Sequence, residues 1–244
     1  HMPTHIDVLC GNYKDVIDRN ELATSADKKY LAREGAVNFY SLYRCHNYHF
    51  KTYGAMFLGQ YGPALEAAEE MAAAISEDLL RVESPSMADW LEAFVSIKLH
   101  VYIRFGKWQE IITSPLPADQ KLYCVTTAML HYAKAVAYAA SFNVPAAEKE
   151  ARLFDEALAR IPESRCLFNN ASLDILAVAA EMMKGEIEYR KLNFDKAFAH
   201  LRKSVELYDS MRYDEPWGFM QPTRHALGAL LLEQNRVEEA EAVY

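Results

Sequence analysis

Within Tyr43–Phe50, YRCHNYHF, one cysteine and two histidines fall inside five positions, and a second close pair, His1 and His5, stands at the N-terminal end. Residues three or four apart share one face of a helix. His46 and His49 at i, i+3, with His1 and His5 at i, i+4 on an adjacent helix, would supply three or four nitrogen ligands. Zinc, copper and iron accept such a set. Cys45 lies about 40° from His49 around a helix but about 100° from its neighbour His46, which makes a poor thiolate–imidazole couple. The competing reading is a metal-free polar groove in which the imidazoles hydrogen-bond carboxylates or some of the 15 tyrosines.

A second stretch with chemical content is YDEPWGFMQPTRH, residues 213–225, which gathers Asp214, Glu215, Arg224 and His225 around aromatic side chains. A carboxylate here is a candidate to orient His225, and Glu215 to complete a metal site or to act as a general base. The alternative is a rigid loop in which Pro216 and Pro222 fix the path into the last helix and Glu215 pairs with an arginine. His131 joins the candidates through its register, described below. No G-x-S-x-G, H-E-x-x-H, G-x-x-x-x-G-K-[ST] or G-x-G-x-x-G occurs, so the common hydrolase, zincin and nucleotide-binding readings fall away.

The elements that must position these residues follow from pattern and composition. The chain has 244 residues, 51% of them hydrophobic, enough to build a substantial core. Its 34 acidic and 26 basic residues give a formal charge of -8 with no basic stripe, which argues against nucleic-acid binding. Cys10, Cys45, Cys124 and Cys166 lie far apart with no C-x-x-C pair, so neither a disulfide framework nor a zinc finger is expected, and a reduced, cytoplasmic protein is. The most apolar run, LDILAVAAEMM, is short and carries Asp174 and Glu181, which excludes a membrane span. The N-terminus lacks a signal-peptide pattern. The sequence stops within a helical pattern, so it is read as part of a longer polypeptide.

An internal repeat organises the whole chain. A turn residue, a large apolar residue two positions on and a small or aliphatic residue after that recur as GNYKDV at Gly11, GQYGPA at Gly59, GKWQEI at Gly106, FNVPAA at Phe142, LNFDKA at Leu192 and NRVEEA at Asn235. Each lies between two amphipathic helical stretches, and no alternating strand pattern is present. The unit is an αα-hairpin, and the fold class is all-α. The pattern resembles the tetratricopeptide repeat, G-x-Y-x-x-A between antiparallel helices, with a longer and less regular period. The resemblance implies a right-handed α-solenoid of about five to six hairpins, the terminal ones incomplete, forming one domain over 1–244 whose stacked units bury a shared core.

Counted from the turns, His1, His49 and His225 stand ten residues before, His131 eleven, His5 and His100 six, and His46 thirteen. In tetratricopeptide proteins the first helix of each hairpin lines the concave surface, so the resemblance implies that these histidines share a groove. His200, on a second helix between Lys196 and Lys203, reads as a solvated residue.

The similarity extends to a narrower group of long tetratricopeptide-type proteins. HMPTHI at 1–6, HNYHF at 46–50, RFGKW at 104–108, HYA at 131–133 and YDEPWGFMQPTRHALGALLLEQ at 213–234 resemble the group's HMPSHI, HNxHF, RFGxW and YxEPPxWxxPxR segments in order. Trp217 and Phe219 depart from that pattern, standing where the group often has proline and tryptophan. The resemblance implies no particular activity.

The leading expectation is therefore a helical-repeat binding module whose histidine-lined groove (His1, His5, His46, His49, His131, Glu215, Arg224, His225) takes a peptide, protein or small molecule. Beside it stands a metal-binding protein or metal-dependent enzyme using His1, His5, His46 and His49, with zinc, copper or iron as the cofactor. A third reading is an oligomeric scaffold.

Overall fold

The structure, a computed structural model, describes residues 1–244 and is all-helical apart from one minimal β-hairpin. Its helices are α1 (Thr4–Leu9), α2 (Tyr13–Glu34), α3 (Ser41–Phe57), α4 (Tyr61–Ala73), α5 (Glu77–Leu80), α6 (Met87–Leu91), α7 (Ile97–Arg104), α8 (Trp108–Thr113), α9 (Cys124–Ala140), α10 (Val144–Leu158), α11 (Ser172–Arg190), α12 (Phe194–Ser210), α13 (Thr223–Glu233) and α14 (Val237–Val243). None is long and apolar enough to cross a membrane.

Six turns join the pairs α1–α2, α3–α4, α7–α8, α9–α10, α11–α12 and α13–α14, and all six share one device. The turn residue has positive φ: Gly11 (74°), Gly59 (71°), Gly106 (63°), Phe142 (61°), Leu192 (65°) and Asn235 (57°). The next amide then donates back to the carbonyl five residues earlier: Asn12 to Asp7, Gln60 to Ala55, Lys107 to Tyr102, Asn143 to Tyr138, Asn193 to Glu188 and Arg236 to Leu231. This is the Schellman closure, which satisfies carbonyls that the helix end would otherwise leave open. The sequence repeat is thus a repeat of helix termination, including where the residue is phenylalanine or leucine.

α9 sits at the centre, against α7, α8, α10 and α11. Ala128, Ala133, Ala135, Ala137 and Ala139 are fully buried along it, and their small side chains let neighbouring helices approach from several sides. Its N-terminus is capped from a distance by Glu92, in the 3-10 turn Glu92–Ser96 between α6 and α7. The buried Glu92 carboxylate accepts from the backbone amides of Val125 (3.0 Å) and Thr126 (2.8 Å), where orphan N–H groups and the helix dipole favour an anion.

No strand is expected from the sequence pattern, yet β1 (Cys166–Leu167) and β2 (Asn170–Ala171) pair antiparallel around Phe168, whose φ is 49°. Two-residue strands are too short for alternation to register. The hairpin anchors the 211–222 loop: the Asp214 carboxylate accepts from the Asn169 amide nitrogen (3.1 Å) and from Asn170 Nδ2 (2.7 Å), while Asn170 Oδ1 accepts from the backbone of Arg212 (2.9 Å). The residue following Asp214 is Glu215, so this clamp sets where that carboxylate goes.

Candidate metal centre

Three helices and the clamped loop meet at His1, His5 and His46. His1 precedes α1 and His5, four residues on, is the second residue of that helix; α3 brings His46 opposite. One ring nitrogen from each of the three lies within 4.8 Å of the others. Nε2 of His1 and Nε2 of His5 face each other at 3.2 Å. Two ligands on one tetrahedral zinc ion, each at about 2.0–2.1 Å, are about 3.3 Å apart.

The remaining ring nitrogens explain why this pair is poised to hold a cation. Nδ1 of His1 lies 2.7 Å from Asn20 Oδ1 on α2. The amide cannot be turned round, because Asn20 Nδ2 donates to the Val16 carbonyl at 2.7 Å. Nδ1 of His5 hydrogen-bonds the Glu215 carboxylate, whose other oxygen accepts from the Tyr213 hydroxyl. Both Nδ1 atoms are therefore donors, and in the neutral rings both Nε2 atoms carry lone pairs directed into the same gap. Two acceptors at hydrogen-bond distance repel unless a proton or a metal ion lies between them. Carboxylate or amide partners behind metal-bound imidazoles fix the tautomer and raise ligand basicity in just this way.

His46 supplies the third nitrogen. Burial, with His49 and His5 nearby, pushes its pKa down to about 3, so the ring is neutral and competent to bind a metal across the physiological range. Its Nδ1 is buried without a hydrogen-bond partner. Phe50, fully buried, floors the cluster edge-on, its ring centroid 5.1 Å from His1, 4.7 Å from His5 and 4.9 Å from His46. Phe168, from the β-hairpin, covers His46 at 4.5 Å.

The other expected site residues go elsewhere. His49 is not part of the cluster: the rotation of about 60° between i and i+3 turns it into the core, where Nε2 lies 2.8 Å from Met220 Sδ and the Phe94 ring stands edge-on at 5.5 Å. His131 is buried and hydrogen-bonded to Glu150 at 2.7 Å, joining α9 to α10. His200 is not free in solvent either, since Nδ1 lies 2.6 Å from Glu181. Arg224 forms two 2.6 Å bonds to Asp209, and His225 takes a long contact (3.4 Å) from Arg104. The shared register thus distributes the histidines between one cluster and separate interhelical contacts. Glu215 pairs with no arginine, and with both oxygens occupied it orients His5 rather than completing the site.

Asn20, Tyr213, Phe50 and Phe168 belong to the centre without having been marked as candidates. Asn20 had a usable signal: Asn20, Thr24 and Asp27 continue the buried face of Val16 at helical spacing on α2, a polar stripe where core residues are expected. Phe168 had none, since only the hairpin turn delivers it.

No protein-family model, no curated protein and no solved structure matches the chain.

Proposed function

We propose that the protein binds one transition-metal ion, zinc in the first instance, between His1, His5 and His46, with Asn20 and Glu215 holding the first two rings. The observation that carries this reading is the 3.2 Å approach of two ring nitrogens whose protons are committed on the opposite side of each ring. Three imidazoles without a contacting carboxylate suit zinc or copper better than the iron facial triad, which includes one. Three protein ligands also leave a fourth position, the place of water or substrate in catalytic zinc sites.

The scaffold we infer is a right-handed α-solenoid of tetratricopeptide-like hairpins, a cytoplasmic helical-repeat module. The repeated Schellman turns and the motif resemblance support that reading. The metal then replaces the peptide as the first ligand assigned to it.

Elemental analysis of protein purified without an affinity tag, with Co2+ titration followed by visible absorption, tests the centre. Near-stoichiometric uptake with intense tetrahedral Co2+ bands, lost in His5→Ala and in His46→Ala, is the expected result. Protein that takes up neither ion would assign the gap to a proton shared between His1 and His5, and the metal reading would be abandoned.

A further inference from the structure

A cavity of about 400 Å³ opens between α7, α9, α11 and α13, away from the histidine cluster, and is of the size that holds small molecules. Trp108, Phe219 and Leu230 give it broad apolar walls, which suit a flat ring system. The charged groups that line it cancel. Glu186 and Arg190 stand one turn apart on α11, and the arginine donates to a single carboxylate oxygen, Oε1, at 2.9 Å from Nε and 2.8 Å from Nη2. His225, on the α13 wall, is uncharged at neutral pH, because burial and the Arg104 guanidinium behind its ring both lower its pKa. A ligand with a net charge of either sign would give up its hydration for walls whose charges are already matched to each other.

Two polar atoms of the lining are nevertheless left over. With both arginine bonds on Oε1, Glu186 Oε2 has no partner. Tyr132, also on the lining, is only 2% exposed, and its hydroxyl has no hydrogen-bond partner within the protein. Buried polar groups ordinarily find one. The two residues are neighbours, since the Glu186 charge, after burial, raises the Tyr132 pKa. A carboxylate oxygen only accepts, whereas a phenol both donates and accepts. Together they match a group that gives a proton to one and takes a hydrogen bond from the other, as a hydroxyl does.

We propose that this cavity binds an uncharged ring molecule bearing a hydroxyl, which donates to Glu186 Oε2 and accepts from Tyr132 while the rings lie against Trp108, Phe219 and Leu230. The proposal is independent of the metal reading and survives its failure.

Calorimetry on the whole chain with three probes of one ring system tests it: 2-naphthol, its methyl ether 2-methoxynaphthalene, which cannot donate, and the anion 2-naphthalenesulfonate. The expected result is saturable binding of one 2-naphthol per chain, about tenfold tighter than the ether, the scale of one hydrogen bond to a charged group, with the sulfonate weaker than the naphthol. Tyr132→Phe and Glu186→Gln should each cut the advantage of naphthol over ether by about threefold or more. Glu186→Gln also releases Arg190 and should strengthen the sulfonate. Ala226→Trp, which fills the cavity, should weaken both uncharged probes by about tenfold or more, with the milder Ala229→Leu as a second variant and thermal unfolding as the check on folding. Absence of saturable 2-naphthol binding overturns the proposal, as does equal affinity for naphthol and ether or a tighter sulfonate. An advantage untouched by both Tyr132→Phe and Glu186→Gln overturns the placing of the hydroxyl. Undiminished binding in folded Ala226→Trp and Ala229→Leu proteins overturns the location.

Discussion

The Nδ1 atom of His5 rests on Glu215, a residue 210 positions further along the chain. That single contact commits the His5 proton to Nδ1, as the donor to Glu215, and leaves Nε2 as a lone pair facing His1. Any ion bound there is governed by a carboxylate it does not touch.

Glu215→Gln should therefore weaken zinc binding without abolishing it, by about 10- to 100-fold, the usual effect of removing a group that orders a metal ligand. Asn20→Ala should fall in the same range. His5→Ala and His46→Ala should lose far more. Competition titration against a chromophoric chelator separates the two classes, and equal losses in all four variants would mean that Glu215 and Asn20 merely support the fold.

Acid should destabilise the protein through its buried imidazoles. Burial lowers the pKa of His100 to about 4 and that of His49 to about 3, against about 6.5 when unfolded. Above pH 6.5 both states are neutral and the stability is fully present. As pH falls from 6.5 toward 4, the unfolded chain takes up protons that the folded chain refuses, and stability is lost. For His100 alone the loss is on the order of 3 kcal/mol when complete. Urea midpoints measured from pH 7.5 to 4.5 should decline, and less steeply in His100→Gln. A wild-type profile flat over that interval would contradict the buried, neutral assignment.

Removing the Glu92 carboxylate should loosen the centre of the molecule. Glu92→Ala strips the α9 N-terminus of its acceptor and leaves the amides of Val125 and Thr126 unpaired inside the protein, at a cost of about 2–3 kcal/mol. Glu92→Gln keeps one acceptor oxygen and should lose roughly half as much. Chemical denaturation measures both, and hydrogen exchange should locate the change in the first turn of α9.

Leu192 illustrates a turn built from an unsuited residue. Its side chain is exposed and its φ is 65°, a conformation that disfavours β-carbons by about 1–2 kcal/mol. Leu192→Gly relieves this but adds freedom to the unfolded chain, about 0.4–1 kcal/mol. A net gain of roughly 0.5–1 kcal/mol is expected, visible as a raised Tm; a lowered one would show that the leucine contributes packing.

Much of this was legible in the sequence because helix termination leaves a local trace. Gly59, Gly106 and Asn235 announce their turns chemically, and Phe142 and Leu192 are recovered only through alignment with them. The His1–His5–His46 grouping was also legible, since i, i+4 spacing on one helix and a motif on another point to shared faces. His49 was misplaced because sixty degrees of rotation decides between a site and a core, and the tilt of α3 is set by tertiary packing rather than by α3 itself. Phe168, and the pairing of Glu215 with His5 in particular, escape sequence reasoning for a related reason: the Asp214 clamp, a long-range set of hydrogen bonds, brings their loops together.

In a linear stack of hairpins, cooperativity passes only between adjacent units, and fraying starts freely at either extremity. The Asp214–Asn170 clamp alters that picture, because it carries Glu215 back to the first helix and so fastens distant units directly. Damage to the β-turn near Phe168 should then be felt at α1 as readily as next door, and the molecule should unfold as one body rather than peel hairpin by hairpin.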